Sequence, residues 1–323
     1  MGSVRPYFLS FLQAERFIMK IIRIASLAAL GLLTLTAAHA QKGGPRNNVP
    51  APQVQAWMSS EVGDAWAAGY KGSGVTVTVV DDFRSNQGLY GNLGQGTQLL
   101  RHGEWTLKEA SMIAPSATMR SQDFNSGTTV GLSRGLNILN LSYGMYAPAG
   151  YTASQIGWSA QEKSIISYAQ NGKAVISKAA GNDSVAIGST NASGNVDYLN
   201  VALKGAQSAI YVGALNTNGT TSAPTTLAYY SNTPGADATV QRQFLVVGVD
   251  GAKTGLYGTS FAAPIIAGYS AILSSKFTKA SSTQITNQLL NTARQDTISN
   301  FDAATHGRGE ASITRSLAPV SIQ

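Results

Sequence analysis

Gly72-Ser73-Gly74-Val75-Thr76-Val77-Thr78-Val79-Val80-Asp81-Asp82-Phe83 is the stretch on which the reading of the fold turns. A Gly-Ser-Gly turn releases an unbroken β-branched run, the composition of a strand buried on both faces. Two carboxylates close the run. Further short β-rich apolar runs recur at 137–143, 174–177, 209–214 and 244–247. Helical spacing appears over 103–114, ending at Pro115, and over 159–171, ending at Gly172. Residues 260–274 are apolar almost all round, which predicts a buried helix. A last helix is predicted over 282–293, with Ser282 as N-cap and Ile285, Leu289, Leu290 and Ala293 on one face. Strands alternating with helices predict an α/β fold with a mostly parallel central sheet. No internal repeat and no low-complexity linker divides residues 53–323, which read as one domain.

Composition narrows the chemistry. The chain has 323 residues and no Cys, so a disulfide scaffold, thiolate metal sites and a cysteine nucleophile are excluded. Only 12% of residues are charged and 34 are Gly. The net charge of +7 invites a nucleic-acid reading, but residues 1–40 supply +3 of it. The remainder is spread without a basic run, so it reads as a solvated surface.

The N-terminal region reads as an export address. Met19-Lys20-Ile21-Ile22-Arg23 is basic, residues 24–38 are uncharged and rich in Ala and Leu, and Ala38-His39-Ala40 offers small residues at both positions of a cleavage site. This is the pattern of a secretory signal peptide. The uncharged run is shorter than the roughly 20 residues that span a bilayer. A complete signal beginning at its own Met makes Met19 the expected translation start. Residues 41–52 read as an extended lead-in. Cleavage after Ala40 removes His39 and leaves His102 and His306.

Four segments fall at strand ends or helix starts, where parallel sheets form their ligand crevice. The strand 75–80 ends on Asp81 and Asp82. Arg101-His102-Gly103-Glu104 opens a helix. Ala179-Ala180-Gly181-Asn182-Asp183 follows the strand 174–177. Gly258-Thr259-Ser260-Phe261-Ala262-Ala263-Pro264 leads into the buried helix. Singly, each has a plain structural reading: an Asp turn, a helix cap, a turn-forming Asn and a Ser N-cap. Together they supply what amide hydrolysis needs. Ser260 is a nucleophile, His102 a base, Asp81 a carboxylate to hold the imidazole, and Asn182 a donor for the developing oxyanion. The chain order Asp, His, Ser is the one found in subtilisin.

Over most of residues 53–317 the chain resembles the subtilisin-like serine proteases, the subtilases. GSGVTVTVVD, HGEWTLKEASMIAPSATM, NILNLSYG, AAGND and YGTSFAAPIIAG are similar to the family's Asp strand, His helix, substrate strand, oxyanion turn and nucleophile turn, and HGRGEASITRSLAP to its closing turn and helix. The resemblance implies a three-layer α/β fold and a secreted or periplasmic serine endopeptidase. It makes Ser260 the nucleophile, His102 the base and then acid, and Asp81 its orienting partner. The Asn182 amide and the Ser260 N–H become the oxyanion hole. Ser142, Tyr143, Gly144, Ala180 and Gly181 are expected to line the cleft, with substrate adding a strand along 142–144. Partners are then protein or peptide substrates, with no nucleic acid, no stable membrane anchor, and a monomeric enzyme. No cofactor is implied. Calcium sites are common in the family, and the sequence, which lacks a compact run of oxygen ligands, leaves calcium open.

Departures from the family pattern set further expectations. Asp82 and Phe83 stand where a small residue and Gly are usual, and Glu104-Trp105 follow His102-Gly103. Crowding there would leave the alternative of a catalytically impaired, peptide-binding relative. Glu104 reads as a solvated carboxylate at a helix start, the alternative being a carboxylate that raises the pKa of His102. Lys178, at the end of a buried strand, needs a partner that the sequence does not name. Asp183, at the expected rim of the primary pocket, suggests tolerance of basic residues before the cut.

Overall fold

The computed structural model describes residues 7–9 and 52–322. The signal peptide and all but the last residue of the lead-in lie outside these residues. The strands are β1 (Tyr7–Leu9), β2 (Val75–Asp81), β3 (Leu89–Gly91), β4 (Gln98–Leu100), β5 (Thr118–Asp123), β6 (Leu136–Leu141), β7 (Gly144–Pro148), β8 (Val175–Ala179), β9 (Asn195–Asp197), β10 (Ala209–Leu215) and β11 (Phe244–Gly248). The helices used below are α1 (Glu61–Ala67), α2 (His102–Ile113), α3 (Ala160–Gln170), α4 (Tyr198–Leu203), α5 (Ala262–Lys276) and α6 (Ser282–Asn291).

Six strands form one sheet in the order β11-β10-β8-β6-β2-β5, and every pairing in it is parallel. Period-2 alternation sends Val75, Val77 and Val79 of β2 to one face and Val80 to the other. On the first face they meet Trp105, Ala110 and Ile113 of α2 and the apolar length of α5. Gly268 of α5 lets these helices approach closely, since a Cβ there would lie 2.6 Å from Ile113 Cγ2. On the second face Leu139, Leu141, Ile176 and Tyr211 pack against Ile165 and Ala169 of α3 and Leu199 and Leu203 of α4. Helix, sheet and helix make the three layers, and both faces of the central strands are dry.

Strand β5 is absent from the sequence reading because Thr-Met-Arg-Ser-Gln-Asp is polar. It is the sheet's edge, with half of its side chains exposed and one buried, so hydrophobic pattern did not mark it. The expected N-cap Ser282 is corrected to Ser281. Ser281 Oγ accepts the Gln284 N–H at 3.2 Å, and Gln284 Oε1 accepts the Ser281 N–H at 2.8 Å. Of two adjacent serines, the one three residues before Gln284 closes the capping box. The buried helix begins at Ala262 rather than 260.

The chain runs from β2 to β5 on one side, then crosses to β6, β8, β10 and β11 on the other. The carboxyl ends of β2, β6 and β8 flank that reversal, where a parallel sheet opens a crevice. Beside it lies a small antiparallel sheet, β1-β7-β9, in which Leu9 pairs with Gly144 and Tyr7 with Tyr146.

Candidate active site

Asp81 is the last residue of β2, and its carboxylate is held from three directions. Oδ1 accepts the Asp82 N–H at 2.7 Å and lies 2.6 Å from His102 Nδ1; Oδ2 accepts the Thr106 hydroxyl at 2.8 Å. Asp81 and His102 are both buried, which strengthens their pairing by excluding water. Asp82 turns away. Its Oδ1 accepts the N–H groups of Arg84 and Ser85 at 3.2 and 2.9 Å, and its Oδ2 accepts the Ser85 hydroxyl, forming an Asx turn. Thr106 one turn along α2 from His102 was not found by sequence reasoning; its spacing is consistent with one helix face, but Thr at that place carries no signal of its own.

The residues feared as crowding are accommodated. Gly103 donates its N–H to Asp82 O at 3.0 Å, and a Cβ on Gly103 would lie 2.7 Å from that oxygen and 2.9 Å from Phe83 Cζ. Glycine is what permits Phe83 beside the His helix. Trp105 is fully buried in the helix-covered core and donates Nε1–H to Leu89 O at 2.9 Å. Glu104 caps α2: Oε2 accepts the Arg101 N–H at 2.8 Å, and Oε1 pairs with the Arg101 guanidinium at 3.0 Å.

Ser260 sits in the turn before α5, entered through Gly258 at φ 124°, which favours glycine. Its carbonyl accepts the Ser142 hydroxyl at 2.8 Å, and Ser142 Oγ accepts Asn140 Nδ2–H at 3.0 Å. The carboxyl end of β6 thus fixes the serine turn. Among the described residues neither Ser260 Oγ nor the Ser260 N–H has a hydrogen-bond partner. The Phe261 ring lies 5.4 Å from the His102 imidazole, centre to centre.

Asn182 is oriented by the same turn. Its Oδ1 accepts the Thr259 N–H at 2.8 Å and the Thr259 hydroxyl at 2.9 Å. A backbone N–H only donates, so the amide oxygen must face Thr259 and Nδ2 must face away. Thr259 Oγ1 also accepts the Gly181 N–H at 3.0 Å. Asn232 clamps the turn from outside: Nδ2 donates to Ala180 O at 3.1 Å, and Oδ1 accepts the Asp183 and Val185 N–H groups at 2.9 and 3.2 Å. No local pattern marks Asn232, which is far from Asn182 in sequence.

Of the expected lining residues, Ser142 and Gly144 stand beside the serine turn or on the β7 edge. The side chains of Tyr143 and Ala180 lie in the core of the second face, leaving only their backbone to a cleft. Tyr143 donates its hydroxyl to Glu162 Oε1 at 3.4 Å, and burial pushes that hydroxyl's pKa well up. Lys178 finds Asp197: Nζ donates to Asp197 Oδ2 at 3.0 Å and to Ala179 O at 2.6 Å, fully buried. Asp183 has both oxygens engaged, by the Tyr146 hydroxyl at 3.1 Å and Asn191 Nδ2–H at 3.2 Å. His306 lies apart, between Asp302 and the Phe301 ring.

Among the described residues no group of three or more His, Asp or Glu is placed to hold a metal ion, so a calcium site of clustered carboxylates does not fit there. No helix of the described residues is long and apolar enough to cross a membrane.

The model of the subtilase family matches residues 102–309, a span that includes His102, Asn182 and Ser260 and begins after Asp81. Among solved structures, a lanthipeptide protease aligns with a TM-score of 0.53 at 18% identity, covering 81% of this chain and 93% of that one. MycP1 from the ESX-1 type VII secretion system aligns at 0.51 and 18%, covering 80% and 84%. These two share the fold. A search of curated proteins finds no match. The parallel six-strand sheet, its helix layers and the matched span agree: the chain belongs to the subtilase family and is a serine-type peptidase.

Proposed function

We propose that the protein is an exported serine endopeptidase acting through Asp81, His102 and Ser260, with residues 53–323 as its peptidase domain. The observation that carries this reading is the buried Asp81–His102 pair at 2.6 Å, with Ser260 in the adjoining turn. With Asp81 ionised, the imidazole carries its proton on Nδ1, which leaves Nε2 to take the Ser260 proton. Ser260 Oγ attacks the scissile carbonyl carbon. The oxyanion accepts hydrogen bonds from the Ser260 N–H and Asn182 Nδ2–H. His102 then protonates the departing amine, and water, activated by the same imidazole, releases the acyl group. The oxyanion donors act where charge develops, so they stabilise the transition state more than the substrate.

The β7 edge fits an extended substrate. Tyr7–Leu9 pairs with that strand as an added strand would, and a start at Met19 or cleavage after Ala40 alike leaves the edge open in the mature enzyme. The test is direct. The protein exported by a secreting host is treated with a fluorophosphonate and assayed on an unfolded protein, and its N-terminus is sequenced. Labelling, hydrolysis and an N-terminus at Gln41 are expected, with the first two abolished by Ser260→Ala. A folded wild type that neither labels nor cleaves overturns the reading.

A further inference from the structure

Two segments flank the reacting groups. Ser142, just ahead of β7, bonds to Ser260 O, and Gly181 bonds to the Thr259 hydroxyl. The residue whose carbonyl reaches Ser260 and Asn182 must therefore direct its side chain between the 142–144 strand and the 180–183 turn. That gap is filled. Tyr146 shares the face of β7 with Gly144, and its ring is pressed against it: a Cβ on Gly144 would lie 2.4 Å from Tyr146 Cε2 and 3.0 Å from Asp197 Oδ2. The Tyr146 hydroxyl crosses to the opposite wall and donates to Asp183 Oδ2 at 3.1 Å. Below it, β9 pairs with β7 so that Asp197 is the cross-strand partner of Tyr146, and Asp197 is locked by Lys178 at 3.0 Å. Asp197 Oδ1 also accepts the Met145 and Leu199 N–H groups at 2.9 and 3.1 Å. Tyr146 is 3% exposed with Tyr7–Leu9 paired to β7; without those residues its ring is still held by Gly144, Asp183 and β9.

Resting on the serine-protease reading above, we propose that Tyr146, tied to Asp183, closes the primary pocket and confines this enzyme to substrates with a small residue, Gly, Ala or Ser, immediately before the scissile bond. A bulky side chain would have to break the Tyr146–Asp183 bond and displace the ring packed on Gly144. A basic one finds both Asp183 oxygens occupied and Asp197 already neutralised by Lys178. Asp183 thus braces the ring and does not receive a substrate cation.

The experiment compares kcat/KM for peptide substrates identical except for Ala, Phe or Lys at that position, with fluorophosphonate labelling to count active sites. Wild type should favour Ala over Phe and Lys by roughly 100-fold, the scale on which a pocket rejects a group it has no room for. Tyr146→Ala should raise the Phe-to-Ala ratio at least tenfold. Tyr146→Phe, which keeps the ring and loses its tether, should raise it by less. If Tyr146→Ala does not fold, Asp183→Ala loosens the tether from the other side and should move the same ratio upward. A wild type that labels and cleaves Phe or Lys substrates as well as Ala overturns this proposal and leaves the protease reading standing. So does a labelled Tyr146→Ala or Asp183→Ala with an unchanged ratio. Absence of labelling in wild type overturns both.

Discussion

Thr259 decides which end of the Asn182 amide faces the crevice. Its N–H and its hydroxyl both donate to Asn182 Oδ1, at 2.8 and 2.9 Å, so Nδ2 is presented outward without any choice by Asn182 itself. One residue ahead of the proposed nucleophile therefore aims the proposed oxyanion donor. Thr259→Val keeps the N–H bond and loses the hydroxyl, which also strands the Gly181 N–H. We expect kcat to fall about tenfold with KM little changed. Asn182→Ala, which deletes the donor, should cost about 3 kcal/mol of transition-state stabilisation, a magnitude taken from subtilisin's own oxyanion asparagine. Steady-state kinetics on one peptide substrate checks both, and a fall confined to KM would count against the assignment.

Gly103 separates the His helix from the Asp82-Phe83 turn. A Cβ there meets Asp82 O at 2.7 Å, a backbone atom that cannot move without moving Asp81. Gly103→Ala is expected to destabilise the protein by about 1–3 kcal/mol, the usual range for overpacking. It should lower kcat by more than the same destabilisation placed elsewhere would. Denaturant unfolding and kinetics on one preparation test this, and Phe83→Ala in the same chain should restore only part, because the backbone clash persists.

Lys178 and Asp197 are a buried pair, and the two halves are unequal to lose. Lys178→Met leaves a carboxylate buried without its cation and should cost about 3–5 kcal/mol. Adding Asp197→Asn removes the uncompensated charge and keeps an oxygen for the Met145 and Leu199 N–H groups, so the double variant should be more stable than Lys178→Met alone. Thermal unfolding of the three variants decides the matter, and strict additivity of the two substitutions would sink it.

Glu310 gives a pH signature. Burial pushes its carboxyl from an ordinary 4.5 up to about 6, against the Gly219 N–H and Thr297, which favour the ionised form. The folded protein then holds this proton to higher pH than the unfolded chain does. Stability therefore falls as pH rises from about 4.5 through about 6, by up to about 2 kcal/mol. Glu310→Gln stays neutral and should be more stable than wild type by that order at pH 7, with the gain gone at pH 4. An equal difference at both pH values would refute the argument.

The sequence by itself determined the α/β class with a mostly parallel sheet and named most of the groups proposed to react. β-branched runs such as 75–80 read as strands covered on both faces, and the segment from Pro264 onward is apolar nearly all round, as a buried helix is. His102, Asn182 and Ser260 were legible because each sits in a short motif whose neighbours are dictated locally, by a cap, a tight turn or a helix start. The family resemblance chose Asp81 over Asp82, while the physical difference between the adjacent carboxylates appears only in the fold, where one faces His102 and the other enters its own turn. The sequence could not name Thr106, Asn232 or the Lys178–Asp197 pair. These depend on which side chains the sheet order brings together across 25, 49 or 19 positions. Such contacts leave no periodic trace, because a polar residue that serves a distant partner looks the same in sequence as one that serves water. The closing of the primary pocket belongs to this class: Tyr146 reads as an ordinary strand tyrosine until tertiary packing lays it across Gly144 and ties it to Asp183.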